Sequence, residues 1–342
     1  VVIIGFSENG QAKSKRLFEY PSIDEPPQEV DVERINWYLF DGPDVAPAKR
    51  NEAFIPGVPT LSQGSKPWDG GHLLISANDY ADVAADPHAA KYLRQFLGAS
   101  EMLKGVDRWC LWLVDANPAD VKASPVLRAR LKAVADNRLS SPTESTRELA
   151  KTPGLFSQIR QPGERYVAVP KVSSENRDYI PAAYFEPEVI AGDALLTIPG
   201  CPLWLFGLLQ SQAFTAWVGA FSGRLKSDYQ ILPGLVYFSF PFPVLSDTDR
   251  RQLEESTQGV IDARAAHPDA SLATLYDPLA MPANLRKAHR ELDRVVDGLF
   301  GLKSPTEGDR LRALLARYAE LSTADELAFK EAKPKRKARK PR

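Results

Sequence analysis

Cysteine is scarce. The 342 residues hold two, Cys110 and Cys201, too few for a disulfide scaffold and suited to a reducing cytosol. Histidine numbers four: His72, His88, His267 and His289. They are scattered without metal-ligand spacing, and no C-x-x-C accompanies them, so no metal site is expected. Each is expected to be structural or exposed rather than catalytic. No G-x-G-x-x-G follows a strand, and no phosphate-cradling G-x-x-x-x-G-K-[ST] is present. No G-x-S-x-G elbow occurs either. These absences leave no recognisable catalytic motif in the chain.

No signal peptide is expected from the opening Val1-Val2-Ile3-Ile4-Gly5-Phe6-Ser7, which has no Met and no basic segment before the apolar run. Four apolar residues followed by Gly read as a buried strand. A chain that starts inside a strand is expected to be the C-terminal part of something longer. From Ala194 to Gly223 charge is absent, and a membrane helix needs about 20 apolar residues. Pro199 and Pro202 break the first part, however, and Gln210, Ser211, Gln212 and Thr215 interrupt the second. The expectation is a strand (Ala194–Ile198), a turn, and a buried helix from about Pro202 to Phe221, with no membrane partner.

What is present is ordinary globular composition: 44% hydrophobic and 25% charged residues. This excludes a wholly disordered chain, a collagen-like chain and a coiled-coil rod. The length suggests two domains, and 28 prolines with 21 glycines point to much loop and turn. The net charge of −1 hides an asymmetry. Between Lys330 and Arg342 eight Lys/Arg face one acid, Glu331, so the tail is +7. Such a tail serves as a disordered solubilising end or as a phosphate-seeking arm.

The organisation expected is α+β. Residues 1–20 read as a strand and basic exit, and 21–35 as an acidic, proline-rich linker. A mixed α/β region covers 36–243, a small all-α region 244–329, and a disordered basic tail 330–342. Strands are expected at Trp37–Phe40, His72–Ser76, Arg108–Val114, Tyr166–Val169 and Val236–Phe240. Helices are expected at Asp79–Phe96 and Ser124–Arg138. Three more follow Pro243: one capped by Asp247, one starting at Pro282 with a stripe of Leu285, Leu292, Val295, Val296 and Leu299, and one opened by a Ser304/Glu307 capping box.

Three polar clusters carry candidate chemistry. In Ser222–Gln230, extended backbone would make Arg224, Lys226, Asp228 and Gln230 alternate onto one face. Lys donates to guanine N7 and O6, and Asp accepts from cytosine N4, so the two together can read one G·C pair. The same residues also suit a solvated strand face with an Arg/Asp ion pair. Ser173-Ser174-Glu175-Asn176-Arg177-Asp178-Tyr179 suits phosphate or base contacts, or a plain polar loop. Gln63–Gly71 offers Lys66 as a charge and Trp68 as a stacking plane, or a structural turn.

Glu25-Pro26-Pro27-Gln28 superficially resembles the tetrapeptide of amino-methyltransferases, but its flanking residues are wrong for that chemistry. Glu331-Ala332-Lys333 resembles half of a metal-dependent nuclease site, without an upstream Pro-Asp pair. Neither is accepted.

Several rarer words occur in order along the chain: Val2–Phe6, GSKPWDGGHLL (64–74), Tyr92–Asp115, VSSENRDYIP (172–181), GRLKSDY (223–229), VYFSFPFP (236–243) and LYDPLAMP (275–282). In these the chain resembles the C-terminal part of the MmeI-like restriction–modification enzymes and their methyltransferase-only relatives. The resemblance implies a bacterial, cytoplasmic target-recognition domain and helical C-terminal domain. It implies that Val1–Ser7 closes a methyltransferase domain otherwise missing from this chain. It implies double-stranded DNA as partner, together with a methyltransferase domain or subunit. S-adenosylmethionine would serve that domain and adenine-N6 methylation would be its reaction, with no cofactor bound here. Lys226 and Asp228 fall on the family's variable base-reading positions; Gln230, Asp193 and Ala194 match further ones. Arg224, Ser227, Tyr229, Ser173, Ser174, Arg177 and Lys66 are expected to contact the DNA backbone or to support the readers. The alternative is a split or degenerate remnant that docks on a separate methyltransferase subunit.

Overall fold

Ser124 and Ser211 show how local chemistry sets the elements. In a computed structural model of the chain, which describes residues 5, 15–19, 25–32, 35–40 and 42–332, the Ser124 hydroxyl accepts from Leu127 N at 2.9 Å. Pro125 then begins the Pro125–Leu139 helix, where its missing N–H costs nothing. Ser211 likewise accepts from Phe214 N and starts the Gln212–Phe221 helix. The charge-free stretch is therefore a strand (Leu195–Pro199) and two short helices (Leu203–Leu209 and Gln212–Phe221), not one long helix. Among the described residues, no helix is long and apolar enough to cross a membrane.

Among the described residues, four small sheets organise the rest. Tyr166–Pro170 and Leu195–Pro199 pair antiparallel at the centre of one, flanked by Ala183–Phe185 and Ser62–Gln63. A second holds Ile190–Ala191, Leu93–Leu97, Trp109–Leu111 and Leu74–Ile75, with only the first pair parallel. The third is a hairpin (Gly223–Leu225 with Asp228–Gln230) joined by Val172–Ser173. The fourth pairs Lys15–Glu19 with Gln28–Val32, the latter within the stretch read as a linker.

The helical end comprises Asp247–Ala265, Leu272–Leu275, Ala283–Leu299 and Glu307–Ala332. The fold is thus α+β, a mixed region followed by a helical one. The largest core runs through both, from Val167, Trp217 and Phe240 to Leu253, Leu292 and Tyr318.

Several expectations are corrected. The helix expected over Asp79–Phe96 stops at Ala84; Leu93–Leu97 is instead a strand, captured by pairing with Trp109–Leu111. Trp37–Phe40 is a turn in which Leu39 adopts φ 64°. The strand expected at Val236–Phe240 is absent from those residues: Pro233–Tyr237 is a π-helical turn and 238–240 continue as turn and bend. The caps shift as well. Ser246 with Asp249 replaces Asp247, and Thr306 with Asp309 replaces Ser304 with Glu307. The closing strand expected at Val1–Ser7, save Gly5, and the basic tail from residue 333 lie outside the described residues.

Candidate nucleic-acid interface

The GRLKSDYQ segment folds back on itself. Gly223 pairs with Gln230, Arg224 with Tyr229 and Leu225 with Asp228, across a two-residue loop, Lys226-Ser227. Residues opposite one another share a face. Leu225, Asp228 and Gln230 therefore lie on one face, and Arg224 and Tyr229 on the other. This overturns the single polar face expected for Arg224, Lys226, Asp228 and Gln230, because the loop resets the alternation. Lys226 stands at the apex with φ 58°, a left-handed conformation that favours glycine.

Arg224 is engaged within the protein. Its guanidinium donates to Ser227 O and Gly219 O, each at 3.0 Å. It lies 3.5 Å from a Glu175 carboxylate oxygen and 4.4 Å from the centre of the Tyr229 ring. Arg224 thus ties the hairpin loop to the end of the Gln212–Phe221 helix. Half-burial pushes the Tyr229 hydroxyl pKa up, against the pull of Arg224.

The second cluster joins the first through strand pairing: Tyr229 opposes Ser173 and Gln230 opposes Val172. Ser173 is buried, and its Oγ has no hydrogen-bond partner among the described residues. Ser174 Oγ accepts from Asn176 N at 3.3 Å. Arg177 is half-buried; burial lowers its pKa, while the carboxylates of Asp228 and Asp277 act the other way. The loop then dives into the core. The Tyr179 hydroxyl donates to Asp293, and the Tyr179 ring stacks on His289 with centroids 3.9 Å apart.

The third cluster abuts the turn bearing Asp193 and Ala194. Ser65 N donates to Ala191 O at 2.7 Å, and Gln63 Nε2 donates to Asp193 O at 2.6 Å. A Cβ at Gly64 would fall 2.4 Å from Gly192 O, so only glycine permits this approach. Lys66 Nζ lies 4.0 Å from Asp193 Oδ2 and 4.2 Å from the centre of the Trp68 ring. Lys171, not singled out from sequence, links this turn to the hairpin: its N–H donates to Ala194 O and its carbonyl accepts from Ile231 N. No local pattern marks it, because both bonds join distant segments.

Beneath the loops lies a polar network inside the core. Asp293 accepts from Tyr179 and from Gln212 N (2.8 Å), and burial raises its pKa to about 6. His289 is buried against Tyr276 (3.0 Å) and Gln210 O (3.1 Å); burial and nearby Arg264 push its pKa down to about 3. Asp297 receives a bidentate pair of 2.8 Å bonds from Arg310. Elsewhere, Asp120 gathers Lys91, His88 and Tyr92, which together hold its carboxyl well below the usual range. Among the described residues, no group of three or more His, Cys, Asp or Glu is placed to hold a metal ion.

Comparison with known proteins gives this arrangement its class. Residues 41–244 match the model of the MmeI target recognition domain, and residues 244–325 that of the MmeI C-terminal domain. The chain belongs to the MmeI family. It is 34% identical over 324 residues to DNA methyltransferase A of Bacillus subtilis (strain 168), which covers 94% of this chain and 36% of that protein. The type IIL restriction-modification enzyme MmeI, solved in complex with DNA, superposes with a TM-score of 0.84 at 37% identity. That match covers 91% of this chain and 42% of MmeI. The chain thus spans well under half the length of either relative.

Proposed function

We propose that this chain is the sequence-reading module of a site-specific adenine-N6 DNA methyltransferase of the restriction–modification type. It reads base pairs in the major groove of double-stranded DNA and positions the target adenine for flipping into a pocket carried by another segment. Lys226 and Asp228 read one G·C pair, Lys donating to guanine and Asp accepting from cytosine. Gln230, Asp193 and Ala194 read further positions. Arg224, Ser227 and Tyr229 support the hairpin; Ser173, Ser174, Arg177 and Lys66 support the readers or contact the backbone.

The observation that carries this reading is the convergence of separated segments. Val172–Ser173 joins the 223–230 hairpin in one three-stranded sheet, the 174–179 loop follows directly, and Lys171 bonds the sheet to the turn at Asp193-Ala194. A two-stranded ribbon fits the major groove, and Lys226 at its apex has nothing built over it, being exposed. MmeI's own structure in complex with DNA supports the choice of partner. Methyl transfer, and the S-adenosylmethionine it consumes, are assigned to a methyltransferase domain or subunit.

Selection from a randomised duplex pool at about physiological salt tests the proposal. The chain is expected to recover a motif with one fixed G·C pair that changes in Lys226→Ala and Asp228→Asn. Each lost contact is worth about 1–3 kcal/mol of discrimination. A Lys226→Ala variant that selects the parental motif would refute the assignment.

A further inference from the structure

Trp68 presents a large apolar side chain to solvent, half exposed at 50%, from backbone at φ 45°. Such a conformation is rare for a bulky residue and persists only where the surroundings impose it. Here Arg138 imposes it. Its side chain is fully buried and donates to five carbonyls: Trp68 O, Pro67 O, Leu149 O, Thr152 O and Leu155 O, all within 2.8–3.1 Å. On the far side of the loop, the buried Asp69 carboxylate accepts from Gly71 N and Leu73 N. The loop is rigid scaffolding with one indole displayed on it.

The indole does not stand alone. Lys66 Nζ lies over its ring and within 4.0 Å of Asp193 Oδ2, a residue of the proposed reading surface. An ammonium beside an exposed aromatic plane matches a sugar–phosphate strand: the ammonium takes the phosphate, and the ring packs on the adjoining nucleotide. A strained, braced aromatic has no such rationale as a solvated turn.

We infer that Trp68 and Lys66 form a backbone clamp for DNA at the Asp193 end of the reading surface. Trp68 packs against a nucleotide and Lys66 meets its phosphate. The inference rests on the DNA-reading function proposed above. A clamp of this kind lends affinity without sequence preference.

The test compares duplex binding by the full chain and by Trp68→Ala, Trp68→Phe and Lys66→Met across a salt series. Trp68→Ala is expected to weaken binding about tenfold on matched and mismatched duplexes alike, with Trp68→Phe intermediate. Lys66→Met is expected to reduce the salt slope by about 1. Parental fluorescence should change on binding duplex, and that change should shrink in Trp68→Phe. Parental affinity and an unchanged fluorescence response in the Trp68 variants would overturn the clamp while leaving the reading function intact. A Trp68→Ala variant with altered base preference and undiminished affinity would overturn it too, in favour of direct readout. A parental chain that binds no duplex would overturn both proposals.

Discussion

The Tyr179 hydroxyl donates to Asp293 Oδ2 at 2.7 Å, tying the loop at residues 173–179 to the Ala283–Leu299 helix. The other oxygen of the same carboxylate holds Gln212 N at the start of the Gln212–Phe221 helix. One buried carboxyl therefore fixes three segments. Tyr179→Phe removes a donor from a buried acceptor and is expected to cost about 1–3 kcal/mol. Denaturant unfolding measures the loss; a variant as stable as the parent would contradict it.

Acid stability should expose two opposing groups. The folded Asp293 pKa of about 6 exceeds its ordinary 3.8, so the folded state holds a proton that the unfolded chain releases. Its contribution falls as pH rises from about 4 to about 6. His289, pushed from 6.5 to about 3, contributes fully above pH 6.5 and loses that contribution as pH falls. The two offset one another between pH 4 and 6. Asp293→Asn removes the first alone, so its stability is expected to drop more steeply than the parent's on acidification from pH 6.5 to 4. Parallel profiles would contradict this.

Lys226 offers a way to separate folding from recognition. Gly accepts φ 58° without strain, so Lys226→Gly is expected to leave thermal stability unchanged or slightly raised, by up to about 1 kcal/mol. It should nonetheless lose the preference for the G·C pair assigned to Lys226 and Asp228. Melting curves and pool selection on the same preparation decide it.

Arg224 acts through others. Arg224→Ala frees Ser227 O, Gly219 O and the Tyr229 ring from their shared partner. The charge is partly exposed, so the stability loss should be modest, about 1 kcal/mol. Discrimination at the pair assigned by the proposal to Lys226 and Asp228 should fall several-fold, with other positions of the motif unchanged. A uniform loss at every position would show disordering of the whole surface instead.

Arg138 is a buried cation whose bonds are all to carbonyls. Arg138→Met leaves those acceptors unmet and is expected to be strongly destabilising, at about 1–3 kcal/mol for each buried carbonyl that finds no new partner. Arg138→Lys should rescue little, because an ammonium lacks the planar fork. Denaturant titration of both variants checks the ranking.

What the sequence disclosed depended on how local the cause was. The Pro125–Leu139 helix was legible because its cap, its first-turn proline and its leucines lie within 16 residues. Leu93–Leu97 was not, since its strand character comes from Trp109–Leu111. Aromatic runs at 37–40 and 236–240 look strand-like but turn instead, their rings packing inward: Tyr38 on Phe221, Phe240 on Trp217. The hairpin at Lys226-Ser227 lacks the Gly or Asn that usually announces a two-residue loop, so an extended strand was the natural expectation. The candidate residues could be named from sequence; the faces they occupy could not. The stripe on Ala283–Leu299 concealed His289, Asp293 and Asp297, because polar residues on a buried face look like errors in an apolar pattern until their partners are known.

The core that runs from Trp217 and Phe240 to Leu253, Leu292 and Tyr318 crosses residue 244 without a gap. At Gly207 a single added methyl would fall 2.1 Å from Thr257 Oγ1, and Arg317 donates to the carbonyls of Pro241 and Phe242. Recombination between relatives therefore has a natural unit. A chimera with its breakpoint at 244 must match two foreign halves of one packed interior. One that transplants both regions together carries its own interior along, and only the outer loops need suit the new host.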